Sequence, residues 1–101
     1  MRYGPFTYLS QDEENEIDFG EREPREARLL QNGSVYIGEW LLDSNTREGR
    51  GVQVWPDGTL YEGYWKSNKA SFYGRLLHKD GDIYQGDWLD DKAHGVGFYY
   101  H

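Results

Sequence analysis

Any catalysis by this chain would have to come from a small set of side chains. Asp87, Asp90 and Asp91 cluster around Trp88, and paired carboxylates do general acid–base work when one is desolvated. The surrounding run Leu89-Asp90-Asp91-Lys92 is that of a polar turn, where charges usually face solvent. His78 and His101 are the next candidates, but two histidines without carboxylates at ligand spacing make a poor zinc site, and the chain has no Cys. Gly49-Arg50-Gly51 and Gly95-Val96-Gly97 suggest phosphate cradles, yet neither opens a helix that would hold a phosphate. The acidic stretch 11–18 lacks the alternating ligands, central Gly and closing Glu of a calcium loop. With no serine elbow and no kinase signature, the expectation is a chain without catalytic residues, metal or cofactor.

The side chains that remain are aromatic. Nine Tyr, four Phe and four Trp make up 17% of 101 residues, against an apolar content of 37%, so large rings must do the packing that aliphatic residues usually do. Six of them recur in one frame: Asn32-Gly-Ser-Val-Tyr36-Ile-Gly38-Glu-Trp40, Asp57-Gly-Thr-Leu-Tyr61-Glu-Gly63-Tyr-Trp65 and Asp80-Gly-Asp-Ile-Tyr84-Gln-Gly86-Asp-Trp88. Self-similarity at this period marks a repeat architecture in which each unit buries its apolar face only against its neighbours. The units run over 36–60, 61–83 and 84–101, with the extra residues of the first in the loop after Trp40.

Within a unit, period-2 alternation places Tyr61, Gly63 and Trp65 on one face of a strand and Leu60, Glu62 and Tyr64 on the other. A second strand runs into Pro56-Asp57-Gly58, whose residues suit a turn. Strand, loop, strand and tight turn in succession predict an all-β antiparallel meander. Gly38, Gly63 and Gly86 lie between a Tyr and a Trp, and Gly49, Gly51, Gly74, Gly95 and Gly97 lie on partner strands. Either these glycines clear space for rings lying across the sheet, or they mark bulges. Phe72 occupies a position where a glycine is expected, and should distort or fill the groove of the second repeat.

Residues 1–31 divide differently from 32–101. Tyr3, Phe6, Tyr8 and Leu9 surround a Gly4-Pro5 turn signal; either this segment folds back over the first repeat as a cap or it is a disordered terminus. Residues 11–18 are too polar to order themselves and read as a solvated loop. Residues 27–31 precede the Asn32-Gly33 turn and are expected to be the second strand of a degenerate half-repeat.

The net charge is −7, with eight acids against four Arg in residues 1–32 and ten acids against seven bases in 33–101. A nucleic-acid partner needs a basic stripe, and none is visible. Arg47, Arg50, Lys66, Lys69, Arg75, Lys79 and Lys92 are each interleaved with acids, which predicts weak adsorption to an anionic membrane. No run is apolar enough to span a bilayer and no secretory leader is visible. The chain is expected to be cytoplasmic, or peripheral to a membrane or the cytoskeleton.

The unit Tyr84-Gln-Gly86-Asp-Trp88 through His94-Gly95-Val-Gly97, with its two variants, resembles the MORN (membrane occupation and recognition nexus) repeat over residues 32–101. Glu48 and Ser71 stand where the pattern has the histidine that His94 supplies, and a loop-fixing hydrogen bond is the role this implies for His94. The resemblance implies an elongated, twisted, single-layer sheet of consecutive hairpins. It also implies a non-catalytic scaffold binding a protein or peptide through an aromatic groove of Tyr36, Trp40, Tyr61, Trp65, Tyr84, Trp88 and Phe72, or through an edge strand. The alternatives it carries are a peripheral module for a phospholipid headgroup, and an accessory domain of a lipid kinase or lysine methyltransferase assembly. The last strand, rich in rings and short of charge, is an edge that should seek a partner, a second copy included.

Overall fold

The computed structural model describes residues 4–101. A short helix α1 (Gln11–Asn15) is followed by seven strands: β1 (Arg22–Leu29), β2 (Val35–Leu41), β3 (Arg47–Val54), β4 (Leu60–Lys66), β5 (Lys69–Leu77), β6 (Ile83–Leu89) and β7 (Lys92–Tyr100). They form one open sheet in chain order, every neighbour antiparallel, which is the expected meander.

Two kinds of turn alternate. The Asn/Asp-Gly turns are three-residue loops: Gly58 N–H donates to Trp55 O and Trp55 N–H to Thr59 O, and the same pair recurs at Leu30 with Gly33 and Ser34 and at His78 with Gly81 and Asp82. This is a type I turn closed by a left-handed glycine, a common hairpin solution. At the other end of the strands Ser67-Asn68 and Asp90-Asp91 form two-residue turns with positive φ at both positions, so most of the expected connecting loops are strand.

One row of glycines crosses the sheet. Gly38 pairs with Gly51, Gly51 with Gly63, Gly63 with Gly74, Gly74 with Gly86 and Gly86 with Gly97. A Cβ on Gly51, Gly74 or Gly97 would overlap the phenol of Tyr36, Tyr61 or Tyr84, and one on Gly38, Gly63 or Gly86 would meet the backbone of the next strand. The ladder also slips between Gly38 and Trp40, Gly63 and Trp65, and Gly86 and Trp88. Space for rings and bulges are therefore both present, and they coincide: the bulge after each glycine presents the carbonyl that the tyrosine hydroxyl reaches.

The amino-terminal segment departs from expectation in three ways. Residues 11–18 are largely solvated, but Gln11–Asn15 form a helix rather than a loop and Glu14 is buried. Ser10 caps α1 with a capping box, its hydroxyl accepting Glu13 N–H while the Glu13 carboxylate accepts Ser10 N–H, and this reciprocal pair offsets the polar composition. β1 begins five residues ahead of the expected strand and contains Pro24, which is tolerated because β1 is an edge. Residues 4–20 do not cap the first repeat either; they cross the sheet face opposite the Tyr/Trp row. Phe6 stacks on Tyr73 (5.6 Å), Tyr8 meets Tyr64 edge-on (5.3 Å), and Phe19 stacks on Tyr64 (5.8 Å). Arg75 donates to Gly4 O at 2.9 Å. Tyr64, Phe72 and Tyr73 on that face of β4 and β5 are what the segment's rings cover at mid-sheet; Tyr3 of the expected cap lies outside the described residues.

Glu14 fastens this strap. It is 6% exposed, and its carboxylate accepts from Tyr64 Oη, from Arg50 at 2.8 Å and from Arg22 at 3.2 Å. Burial alone would raise its pKa; the Tyr64 and Arg50 hydrogen bonds and the charges of both arginines outweigh that and hold it below the usual carboxylate value. Burial and the same carboxylate push the Tyr64 phenol upward.

Two outcomes follow from this arrangement. Gly74→Ala should cost about 1–3 kcal/mol, read as a lower urea midpoint at unchanged slope, because Tyr61 would have to leave its place. A group whose folded pKa is depressed stabilises above its unfolded value, so the Glu14 contribution is full above pH 4.5 and fades as the pH falls through the folded value. The stability gap between the parent and Glu14→Gln should therefore be widest near neutrality and narrow below pH 4.5; a gap that is constant with pH would contradict the ion-pair account.

Candidate functional site

The six recurrent rings are packed into each other. Running across the sheet, Trp40 meets Tyr36 (5.0 Å), Tyr36 meets Trp65 (5.5 Å), Trp65 meets Tyr61 (5.2 Å), Tyr61 meets Trp88 (5.2 Å) and Trp88 meets Tyr84 (5.4 Å), each within 10° of perpendicular. Edge-to-face contact is the favourable orientation for aromatic quadrupoles; Tyr36 and Tyr61 each serve two tryptophans, their own and the next repeat's, while Tyr84 meets Trp88 and, on its other side, Tyr99. Every tyrosine hydroxyl donates to a carbonyl three residues on: Tyr36 to Glu39 (2.7 Å), Tyr61 to Tyr64 (2.9 Å), Tyr84 to Asp87 (2.8 Å). Burial pushes the Tyr36 and Tyr61 phenols upward, so they stay donors. Trp65 and Trp88 donate their indole N–H to Gly51 O and Gly74 O at 3.1 Å.

All six are buried, none more than 8% exposed, so the row is the core of a one-layer protein. Tyr61, Trp65 and Trp88 line a cleft of about 360 Å³ together with Trp55 and Leu76, with Arg47, Gln53, Asn68 and Asp91 among the polar groups, whereas Tyr36 and Tyr84 line neither this cleft nor the next. A second cleft of about 570 Å³ continues from it towards β1, sharing Asn32, Arg47 and Asn68 and adding Arg28, Asn45 and Trp40.

Phe72 is not part of this groove. Its backbone φ is 70°, matching Gly49 at 91° and Gly95 at 63°, and its ring meets Phe19 at 5.4 Å under the strap. The first glycine of each Gly-x-Gly pair points to the strap face and is required for its left-handed backbone, which L side chains adopt at a cost; only the second sits beneath a tyrosine. Phe72 takes on that strain at a place where its ring is covered by Phe19.

The position of the repeat histidine also divides. Glu48 is buried and accepts from Gly20 N–H (2.8 Å), Ser67 N–H (3.0 Å) and Lys66 Nζ (2.8 Å), which fixes both the strap and the next turn. His94, the third in the series, is exposed. His78 and His101 are half-exposed to exposed and lie beside Asp80 (3.2 Å) and Asp82 (3.5 Å).

Arg28, Arg47, Gln53 and Asn68 carry the polar chemistry of the clefts. Arg47 lies over the Trp65 ring at 4.5 Å and donates to Gln53 Oε1, Asn68 Oδ1 (3.2 Å) and Asn68 O (2.9 Å). Burial draws its pKa down. From the sequence only Arg47 stands out, as one of several interleaved charges, although a stronger signal exists: phased by repeat, Arg47 aligns with Ala70 and Ala93, and Gln53 with Leu76 and Tyr99.

At the far side of the sheet, β7 is exposed at Val96 (74%), Phe98 (65%), Tyr99 (66%) and Tyr100 (49%).

Among known proteins, the family model described as MORN repeat matches residues 36–60, 61–83 and 84–101, the units defined by the turns. A stretch of 44 residues is 43% identical to MORN repeat-containing protein 3 of Xenopus laevis; it covers 43% of this chain and 18% of that relative, so the match spans under a fifth of the relative's length.

Because Trp65 joins two repeats and donates to Gly51 O, Trp65→Ala should cost about 3–5 kcal/mol. A thermal melt unchanged from the parent would show that the ring stack does not hold the sheet together.

Proposed function

Since the chain belongs to the MORN repeat family, we propose that it is a non-catalytic scaffold module that associates by strand addition along β7, pairing with β7 of a second copy. The contrast between the two edges of the sheet carries this reading. β1 is blunted in the ways natural edges are: it holds Pro24, the charged Arg22, Glu23, Arg25, Glu26 and Arg28, and a slip in its ladder between Arg25 and Arg28. From His94 to Tyr100 β7 has no Asp, Glu, Lys, Arg or Pro, and Val96, Phe98, Tyr99 and Tyr100 are its exposed large apolar side chains, with His94 exposed beside them. An antiparallel β7–β7 contact is self-complementary, as a twofold dimer requires, and would join two sheets into one while covering those rings.

A lipid-headgroup role has less behind it on this face of the protein, because Arg22, Arg50, Lys66 and Arg75 are already paired with Glu14, Glu39, Glu48 or Glu62.

Light scattering over a concentration series, with hydrogen exchange of the β7 amides, tests the proposal. The parent should dimerise, with protection of β7 rising with concentration. Phe98→Lys should be monomeric yet melt within about 0.5 kcal/mol of the parent, as exposed substitutions do. A parent that stays monomeric at millimolar concentration, with no concentration-dependent protection of the β7 amides that point away from β6, would overturn it.

A further inference from the structure

We infer that the cleft between Arg28 and Arg47 is a binding site for a carboxylate side chain of an extended acidic peptide. In a protein of net charge −7, four other arginines, Arg22, Arg25, Arg50 and Arg75, sit in ion pairs with glutamates. Among the described residues Arg28 and Arg47 pair with no carboxylate, and the cleft they share has no Asp or Glu in its lining. Arg47 is held by neutral amide oxygens of Gln53 and Asn68, so its direction is set while its charge is left unneutralised. Arg28 uses one nitrogen on Asn45 Oδ1 (2.9 Å) and lies over the Trp40 ring at 5.3 Å, leaving the rest of its fork open. Planar guanidinium forks favour the two oxygens of a carboxylate, and partial burial strengthens such hydrogen bonds.

A second observation lies in the same wall. The indole N–H of Trp40 is buried without an acceptor, whereas Trp65 and Trp88 donate to a glycine carbonyl of the preceding strand. Across from Gly38 the preceding strand has Arg25 and a slipped ladder instead of glycine, so this end of the trench is short of acceptors as well as anions. The trench then passes Trp55 and Leu76 before reaching Asp91. Two adjoining clefts, with the positive charge in one and apolar walls in the other, suit an extended chain bearing an acidic residue followed by apolar ones better than a single phosphorylated headgroup.

Fluorescence anisotropy with a labelled peptide of alternating Glu and Leu, and its counterpart with Gln for Glu, tests this on the intact chain. The Glu peptide should bind at least tenfold tighter than the Gln peptide, and Arg28→Gln, at an exposed position, should remove about tenfold of that affinity. Phe98→Lys should leave it unchanged, so failure here and failure of β7 pairing are separate results. Equal binding of the two peptides, or an Arg28→Gln variant that binds like the parent, would overturn the site. So would binding to phosphatidylcholine vesicles carrying a phosphoinositide with no binding of the Glu peptide, which would assign the two arginines to lipid phosphate.

Discussion

The structure depends on how closely its strands can bring their backbones and rings together at one row. A glycine at the same register in six consecutive strands lets each tyrosine lie flat over its neighbour strand, where a Cβ would stand in the way. That placement brings each phenol against the indole of its own repeat, and those of Tyr36 and Tyr61 against the next repeat's indole as well, and takes the hydroxyl to the bulge carbonyl. A sheet with a single layer has no second sheet to pack against. Here the layer is made by the rings themselves, lying across the strands, which is how a chain with little aliphatic content buries a core. The row ends at Arg25, opposite Gly38, and the regular packing ends with it: Trp40 loses its acceptor and the guanidinia of Arg25 and Arg28 lie over its ring instead.

The opposite face follows a different logic. It has no repeated ring layer, and residues 4–20 cover it as a single strap. Glu14, Glu48 and Glu62 are the acids that hold bases of β1, β3, β4 and β5 there, and the Phe6, Tyr8 and Phe19 rings fill the space between them. A buried carboxylate with several hydrogen-bond donors keeps its charge because leaving those donors unpaired would cost more than its desolvation. The repeat face is built by periodicity and the strap face by individual contacts, so the two respond to different perturbations, ring truncation on one side and acid on the other.

That difference also sets what could be read from the residues in advance. The meander, the repeat boundaries, the turns and the common face of Tyr61 and Trp65 all rest on patterns stated three times, and local rules about Gly, Pro and alternation suffice for them. The strap rests on contacts between residues up to 71 apart, stated once, so its course could not be phased. The capping box at Ser10 and Glu13 was legible in type but masked by the acidic run around it. Phe72 shows a subtler limit: recognising that a glycine is replaced does not say whether that glycine serves the ring side or the backbone, and only the φ values separate the two. For the clefts, the rings were visible but their burial left them as walls, and the polar groups that give the site its chemistry are the residues at which the repeats disagree.

Those disagreements have a physical basis. Each tyrosine is flanked on both sides by residues of one aligned series, Arg28 and Gln53 beside Tyr36, Gln53 and Leu76 beside Tyr61, Leu76 and Tyr99 beside Tyr84. The glycines and rings are constrained by contact with the next repeat, whereas this series only lies against the tyrosines from the side, as Leu76 and Tyr99 do, and its residue types differ from repeat to repeat. It passes from a cation through an amide to an aliphatic and an aromatic residue, so the cleft wall is cationic at Arg28 on β1 and apolar at Leu76 on β5. The hairpin clasp shows the same freedom: Asn68 and Asp91 both receive a backbone N–H on their side-chain oxygen, from Arg47 and Ala70, yet one is neutral and the other charged. Holding the backbone requires only an oxygen at that point, so the charge that accompanies it differs between the two turns.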